Sequence, residues 1–247
     1  MAAPPQAEII DGIKTFIPLE NNPDVMKLLC ENLQISGDLD FHDIISTSPE
    51  FLQECYFRPC HALIVLADRT IYQAARSAVE PTISEYKGSG PDEPVLWMKQ
   101  TIGHACGLMA LLHVVFNLEG GRYVRPGTEI DALRQEAIHL GLTERAQLLY
   151  DSKFLEQAHM DAASRGSSNV PSPRDDNRHH FLAFVQKDGK VWELNGGMNG
   201  PLFRGELGER EDLLNERGLE LTAQDFLIAA EQSGCDEMSI VAISGGR

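Results

Sequence analysis

The stretch that decides the fold reads Gln100-Thr-Ile-Gly-His-Ala-Cys106-Gly107 and leads into a largely apolar run at residues 108–116. Helical spacing relates four side chains of this run: Leu108, Leu111, Leu112 and Val115. Most other positions of the run are apolar too, so the pattern predicts a helix that is buried in the centre of the fold. Cys106 then lies in the first turn, where backbone N–H groups have no partner within the helix.

A thiol in the first turn of a helix is a candidate nucleophile. The helix dipole and the unpaired N–H groups favour an anion there, which lowers the pKa of a thiol and produces the reactive thiolate. Gln100 carries a side-chain amide that can donate to a developing oxyanion. The alternative is that Cys106 is only a small core residue of an apolar helix. A suitable histidine, with a residue that orients it, would favour the nucleophile.

A β-hairpin is predicted around Asp188-Gly189, a dipeptide typical of two-residue hairpin turns. If the turn has two residues, the flanking lysines pair with each other. This register makes His180 and Asn195 diagonal neighbours on one face of the hairpin. Asn195 can then accept a hydrogen bond from one imidazole nitrogen, which leaves the other nitrogen free to take a proton from a thiol.

Other assignments within the hairpin remain open. His179 points to the opposite face in this register, and Glu193 lies on the same face as His180 but one step further away. A bulge would change the face that one residue occupies. His180 can also be read as a surface residue at a strand end, with Asn195 as a turn former.

Local patterns mark other elements of secondary structure. Asn22-Pro23-Asp24 and Ser48-Pro49-Glu50 each combine an N-cap residue with proline in the first turn, and so predict helix starts. Thr222 with Asp225 resembles a capping box for a helix over residues 226–231. The continuous apolar run at residues 62–67 fits a central strand.

Together these motifs resemble the ubiquitin C-terminal hydrolases, a family of papain-like cysteine peptidases. The segment from Gln100 to Gly107 is similar to their active-site segment, and Phe16-Ile-Pro-Leu-Glu20-Asn-Asn-Pro23 to their opening strand and first helix. Residues 57–66 resemble their second strand. His180-Phe181 with Trp192-Glu-Leu-Asn195-Gly196 resembles their histidine hairpin. The resemblance covers most of the chain and implies an α+β, papain-like fold with a central, mostly antiparallel β-sheet flanked by helices.

The resemblance implies a catalytic role for four residues. Cys106 corresponds to the nucleophile, His180 to the general base and acid, and Gln100 to the oxyanion-hole donor. Asn195 stands where the family usually has aspartate, as the residue that orients the imidazole. The implied activity is thiol-dependent hydrolysis of ester, thioester, amide or peptide bonds at the C-terminal glycine of ubiquitin, with release of small adducts.

Three positions depart from the family's pattern. Gly197 replaces a frequent arginine, His104 replaces a common asparagine, and Asn195 replaces aspartate. An amide orients an imidazole but cannot stabilise an imidazolium as a carboxylate does, and in a serine triad this change costs roughly 10⁴ in rate. Papain-type peptidases nevertheless work with a Cys-His-Asn set. We therefore predict an active enzyme.

Two alternatives to a ubiquitin hydrolase stay open. One is a catalytically weakened ubiquitin-binding module, and the other is a hydrolase for a ubiquitin-like modifier or a general cysteine peptidase. No cofactor is expected. No metal is expected either, because Cys55-x4-Cys60-His61 has poor spacing for a metal site and no second cluster accompanies it.

Length and composition indicate the number of domains, the kind of partner and the compartment. The 247 residues predict one catalytic domain over residues 1–247. A net charge of −16 opposes non-specific nucleic-acid binding. It suits a basic partner such as the arginine-bearing tail of ubiquitin, or serves only solubility. Five cysteines without a framework and an N-terminus without a secretory signal predict a cytoplasmic protein. No apolar run approaches a membrane span, and we expect a monomer.

A segment rich in Ser, Gly and Pro at residues 162–177 predicts a mobile loop, which we place at about residues 155–178. In the resembled family, a loop between the cysteine half and the histidine strand crosses over the active site. Such a loop would limit the size of the group attached to the C-terminus of ubiquitin. A plain flexible linker would have the same composition.

Overall fold

A central β-sheet with helices on both faces organises this computed structural model, which describes residues 6–167 and 170–245. The strands among these residues are β1 (Glu8–Ile10), β2 (Ile13–Thr15), β3 (Leu39–Asp43), β4 (Cys60–Asp68), β5 (His179–Lys187), β6 (Lys190–Leu194), β7 (Leu202–Glu206) and β8 (Met238–Gly245). The helices are α1 (Pro23–Asn32), α2 (Pro49–Glu54), α3 (Arg69–Arg76), α4 (Cys106–Asn117), α5 (Glu129–His139), α6 (Leu142–Asp151), α7 (Lys153–Ala163), α8 (Glu216–Leu221) and α9 (Gln224–Ser233). Short 3-10 turns cover Glu80–Thr82 and Leu118–Gly121.

The main sheet has the strand order β3-β8-β4-β5-β6-β7, and each neighbouring pair is antiparallel. The apolar run at residues 62–67 forms most of β4, which lies inside the sheet between β8 and β5 as predicted. β1 and β2 form a separate two-stranded sheet. The prediction of an α+β fold with an antiparallel central sheet flanked by helices is confirmed.

The hairpin of β5 and β6 has the predicted two-residue turn. Asp188 and Gly189 have φ angles of 53° and 72°, and two positive φ angles characterise the type I′ turn that matches the twist of a hairpin. Lys187 pairs with Lys190, as the predicted register requires. Because side chains alternate along a strand, this register brings His180 and Asn195 to the same face.

Two apolar layers cover the two faces of the sheet. One layer contains α4, which is buried along its whole length, and this helix packs on β5. The other contains α3 and α9, and Phe226 of α9 contacts Phe184 of β5 with ring centres 6.3 Å apart. Because both layers contact β5, residues of this strand can meet side chains from either layer.

The predicted helix starts have mixed outcomes. α1 begins at Pro23 as predicted, with Asn22 Oδ1 accepting a bond from the backbone N–H of Asp24 at 2.8 Å. The capping box at Thr222 is wrong, because α9 begins at Gln224 without a side-chain cap. The Thr222 hydroxyl instead donates to Gly218 O at 2.7 Å, at the end of the preceding helix.

The loop predicted at about residues 155–178 begins later than expected. α7 continues to Ala163, because its buried residues, among them Leu155, Ala158 and Ala162, form a continuous helical face. Among the described residues, those from Ser164 to Arg178 therefore lie in neither a helix nor a strand. Residues 168 and 169 of the predicted loop lie outside the described residues, as do residues 1–5 and 246–247 of the predicted domain.

Among the helices formed by residues 6–167 and 170–245, none has the length and apolar character needed to cross a bilayer.

Candidate active site

Cys106 is the first residue of α4, as the sequence predicts, and its side chain is buried. The N-cap residue, Ala105, offers no side-chain acceptor to the first turn. The N–H groups there are consequently available to an anion. Backbone groups of Gly107 and Phe181 bond the sulfur, so the thiol lies between its own helix and β5.

The residues before Cys106 are held by close backbone contacts with β2. Gly103 N donates to Lys14 O at 2.8 Å, and Phe16 N donates to Gly103 O at 2.9 Å. A Cβ at Gly103 would lie 2.7 Å from Thr15 Oγ1, so only glycine allows this approach. His104 follows with a φ of 56°. Asparagine and histidine are among the residues that tolerate this left-handed conformation, so His104 is compatible with the backbone here.

His180 lies at the start of β5 with both ring nitrogens engaged. Its Nε2 is 2.8 Å from Asn195 Oδ1. Asn195 Oδ1 also accepts a hydrogen bond from Gly197 N at 2.8 Å. The remaining nitrogen, Nδ1, is left for the thiol of Cys106, to which His180 is hydrogen-bonded. The structure thus brings together the three residues that the sequence placed on two separate elements.

The electrostatics of the Cys106–His180 pair favour a thiolate and an imidazolium. Burial would raise the pKa of the Cys106 thiol, but the hydrogen bond and charge of His180 and the backbone bonds hold it below its ordinary value. Burial would lower the pKa of His180, but Cys106 and then Asn195 raise it above its ordinary value. Each shift therefore stabilises the charged form of its group in the presence of the other.

Other cysteines have the opposite environment. Burial, the largest influence in each case, raises the pKa of Cys60 to about 12 and raises the pKa values of Cys30 and Cys55. Among the described cysteines with a shifted pKa, Cys106 alone is lowered. A lowered pKa distinguishes a reactive cysteine from an inert buried one.

Gln100 lies beside the histidine hairpin, in contact with Gly196. Gln100 N donates to Gly196 O at 3.0 Å, and a Cβ at Gly196 would lie 2.9 Å from Gln100 Cβ. The side-chain Nε2 donates to Ile102 O at 2.9 Å. An amide nitrogen has two donors, so one N–H remains for a bound oxyanion.

The two alternative hairpin residues are engaged elsewhere. Glu193 is fully buried and accepts hydrogen bonds from the guanidinium of Arg76 at 2.8 to 3.0 Å. His179 Nε2 lies 3.0 Å from Glu237 Oε2, on the face opposite to His180. Neither is paired with Cys106 in the way that His180 is.

Sequence reasoning missed Tyr72, which belongs to α3 in the other helical layer. Its hydroxyl accepts a hydrogen bond from Asn195 Nδ2 at 2.9 Å. Its ring meets the imidazole of His180 edge to face, with ring centres 5.0 Å apart. No local pattern signals this contact, because Tyr72 and Asn195 are separated by 123 positions.

One group in the described part of the chain offers three candidate metal ligands. Asp68 ends β4, His179 begins β5 and Glu237 immediately precedes β8, with ligand atoms within 4.8 Å of one another. These groups already bond protein partners: Asp68 accepts from Thr70 N, and His179 contacts Glu237. Cys55, Cys60 and His61 form no such group among the described residues.

The segment between α7 and β5 passes next to the cysteine segment. Together with Gly103 and His104, residues 173–177 line a surface cavity. Ser167 donates to Glu20 at 3.1 Å from both its N–H and its hydroxyl. Further along, Arg174 pairs with Glu8 at 2.7 Å. The described part of this segment therefore lies next to the residues that precede Cys106 and is attached to the N-terminal region.

A thiol at the start of a buried helix, next to a histidine and an asparagine on the facing hairpin, is the arrangement of papain-like cysteine peptidases. Comparison with known proteins agrees. The sequence profile described as ubiquitin carboxyl-terminal hydrolase, family 1, matches residues 16–225. The chain belongs to this family, and the resemblance seen in its sequence is confirmed.

Relatives from distant organisms share this similarity. A Dictyostelium discoideum protein named as a probable ubiquitin carboxyl-terminal hydrolase is 34% identical over 210 residues, which cover 85% of this chain and 81% of the relative. The ubiquitin carboxyl-terminal hydrolase of Aplysia californica is 31% identical over 77% of this chain and 86% of its own length. The chain thus spans most of each relative.

A solved structure shows the same fold at lower identity. It is the catalytic domain of UCH37 from Trichinella spiralis, bound to ubiquitin vinyl methyl ester. It matches with a TM-score of 0.65 and 18% identity, over 94% of this chain and 96% of that domain. The papain-like fold is therefore confirmed.

Proposed function

We propose that the protein hydrolyses bonds at the C-terminal glycine of ubiquitin, using Cys106 as nucleophile and His180 as general acid and base. The observation that carries the proposal is the hydrogen bond between the buried Cys106 thiol and the half-buried His180 imidazole, with the thiol pKa lowered and the imidazole pKa raised. Family membership supports the substrate class, because the relatives are named as ubiquitin hydrolases. A relative of the same fold is bound to a ubiquitin derivative.

Acylation begins with the thiolate of Cys106. The sulfur forms a bond to the carbonyl carbon of the terminal glycine, and the carbonyl π electrons move to oxygen. The developing oxyanion accepts hydrogen bonds from the free Gln100 N–H and from backbone N–H groups at the start of α4. His180 then gives its Nδ1 proton to the leaving amine, alcohol or thiol as the scissile bond breaks. The product is a thioester on Cys106.

Deacylation uses the same groups in reverse. His180, now neutral, takes a proton from water as the water oxygen attacks the thioester carbonyl. The carbon–sulfur bond breaks, which restores the thiolate beside the imidazolium, and the glycine carboxylic acid leaves and releases its remaining proton to solvent. His180 supplies the proton that the leaving group receives, and water replaces that proton on His180, so the steps consume no cofactor.

The segment between α7 and β5 is proposed to select leaving groups by size. Its position next to Gly103 and His104, and its attachments to Glu20 and Glu8, support a strap across the site. Small groups attached to ubiquitin would pass beneath such a strap more easily than folded proteins would. The motion that the sequence predicts for this segment stays a prediction.

A ubiquitin probe with a C-terminal electrophile tests the activity and its nucleophile together. We expect the wild-type protein to form a covalent adduct and Cys106→Ala to form none. Cys235→Ala is the matched control, since Cys235 is a half-buried free thiol just after the end of α9, and it should react as the wild type does. The wild type and Cys235→Ala should also hydrolyse a fluorogenic ubiquitin amide, and Cys106→Ala should not.

Three results would contradict the proposal. Tight binding of the probe without an adduct would indicate a ubiquitin-binding module. Faster reaction with a related modifier than with ubiquitin would indicate a different substrate. An adduct that survives Cys106→Ala would show that another residue is the nucleophile.

We further propose that the chain acts as a single catalytic domain, as a monomer, in the cytoplasm. The continuous sheet from β3 to β8 supports one domain. The five unpaired cysteines are compatible with a reducing compartment. The net charge of −16 suits a basic protein partner rather than nucleic acid. Cell fractionation and light scattering of the purified protein test these points.

A further inference from the structure

An amide at position 195 has two unlike ends, and only one orientation serves the histidine. Asn195 is 1% exposed, so solvent cannot satisfy either end. Its Oδ1 accepts bonds from His180 Nε2 and from Gly197 N, each at 2.8 Å. A backbone N–H can only donate, so this side of the amide must be the oxygen. If the amide were turned over, its N–H donors would face these two donors.

The nitrogen end of the amide needs an acceptor, and Tyr72 provides it. The Tyr72 hydroxyl lies 2.9 Å from Asn195 Nδ2 and is its acceptor. A hydroxyl can both accept and donate, so it can receive this N–H while its own proton points elsewhere. A buried donor left without an acceptor would carry a desolvation penalty.

The position of Tyr72 is itself fixed by a buried ion pair. Arg76, one turn further along α3, bonds Glu193 of β6 through its Nε and a terminal nitrogen, and both side chains are fully buried. Glu193 precedes Asn195 by two positions on the same face of the hairpin. The pair therefore ties the helix that carries the hydroxyl to the strand that leads to the amide.

We propose that Tyr72 is a positioning residue that makes an amide functional at position 195, by holding Asn195 Nδ2 so that Oδ1 remains directed at His180 Nε2. The inference rests on the proposed function for the reaction concerned. Tyr72 contacts no reacting atom in this role. It acts through Asn195 on the imidazole, whose Nε2–H is kept on Oδ1 so that Nδ1 faces the thiol.

The role should depend on the amide. A carboxylate has two equivalent acceptor oxygens and no wrong orientation, so aspartate at this position would not need an acceptor partner. Removing the Tyr72 hydroxyl should therefore harm a protein with Asn195 and spare one with the Asn195→Asp substitution. A purely structural tyrosine would matter equally in both.

Four proteins make the test: wild type, Tyr72→Phe, Asn195→Asp and the double variant. Phenylalanine keeps the ring that packs on His180 and removes only the hydroxyl. We expect Tyr72→Phe to lower kcat/KM on a fluorogenic ubiquitin amide by about tenfold, in line with an unpaired buried donor. In the Asn195→Asp background the same substitution should change kcat/KM by less than about twofold, which would be a large coupling between the two sites.

A second readout works without any ubiquitin substrate. The rate at which iodoacetamide alkylates Cys106, followed by mass spectrometry across pH, reports the thiolate stabilised by His180. Tyr72→Phe should move this profile to higher pH, and Asn195→Asp should restore it. If the wild type fails on ubiquitin but the alkylation profiles shift as stated, the proposed function fails while the role of Tyr72 stands.

Tyr123→Phe is the matched control, since the hydroxyl of this buried tyrosine bonds Glu119 at 3.0 Å and touches no active-site residue. It should leave the alkylation profile unchanged. Thermal unfolding verifies that each variant is folded. Equal losses from Tyr72→Phe in both backgrounds, or no loss in the Asn195 protein, would overturn the inference.

Discussion

Asn195→Asp is the substitution that most directly tests how the histidine is supported. The carboxylate retains both acceptor contacts, to His180 Nε2 and to Gly197 N, at the present 2.8 Å. The Tyr72 hydroxyl, now an acceptor, can rotate to donate to the second oxygen. The tautomer of the imidazole is consequently unchanged, and only the charge of its partner differs.

The size of the effect follows from the hydrogen bond to His180. Aspartate adds a charge to the acceptor side of this bond. Making one partner of a hydrogen bond charged adds roughly 1 kcal/mol, and we take that as the gain of the imidazolium. One pKa unit corresponds to about 1.4 kcal/mol, so the pKa of His180 should rise by roughly 0.7. Burying the new carboxylate near Glu193 opposes part of this gain.

The assay is kcat/KM on a fluorogenic ubiquitin amide between pH 5 and 10 (a range of about five units around the ordinary histidine pKa). We expect a value at neutral pH equal to that of the wild type or up to about threefold higher. The alkaline limb should move to higher pH. Asn199→Asp, at an exposed site of the same loop, is the charge control and should leave the limb in place. Loss of activity without unfolding, or a limb that moves to lower pH, would refute the reasoning.

Two further predictions concern the pH profile and a buried ion pair. The wild-type kcat/KM should be a bell-shaped function of pH. Its acid limb should lie below the ordinary thiol pKa of 9.0, because the pKa of Cys106 is lowered. Its alkaline limb should lie above the ordinary histidine pKa of 6.5, because the pKa of His180 is raised. Glu193→Gln should lower the free energy of unfolding in urea by about 3–5 kcal/mol, because it leaves the fully buried Arg76 without its main counterion. Glu220→Gln, which breaks a half-exposed pair, is the matched control and should cost less than about 1 kcal/mol. Similar losses for the two variants would contradict this account.

Features set by short-range chemistry could be predicted from the sequence. The Asp188-Gly189 turn fixed the register of the hairpin, because two positive φ angles are needed there. Asn22 capped α1 through its own side chain. The apparent capping box at Thr222 was wrong because both side chains bond other partners: the Thr222 hydroxyl donates to Gly218 O, and Asp225 accepts from Arg204 at 2.6 Å and also from Arg76. A tertiary ion pair replaced the local cap.

In the candidate site too, some features follow from the local sequence and others only from tertiary contacts. Cys106 and His180 each lie in a recognisable local pattern, and the hairpin register brought Asn195 to the histidine. The contact from Tyr72 arises only when α3 packs on the sheet, so the local sequence of the helix does not mark it. Nor could spacing show how Gly103 is held against Thr15, since that approach depends on two chain segments meeting.

The turn at Asp188 and Gly189 and the segment between α7 and β5 should differ greatly in how well they tolerate a change in length. One residue added to this turn could slip the pairing of β5 with β6 and send Asn195 to the far side of the sheet. The residues between α7 and β5 set no strand register, so insertions there would alter access to the thiol and leave the triad aligned. Evolutionary drift in chain length should accordingly accumulate in the strap, while the hairpin tip, although far from the chemistry, stays at two residues.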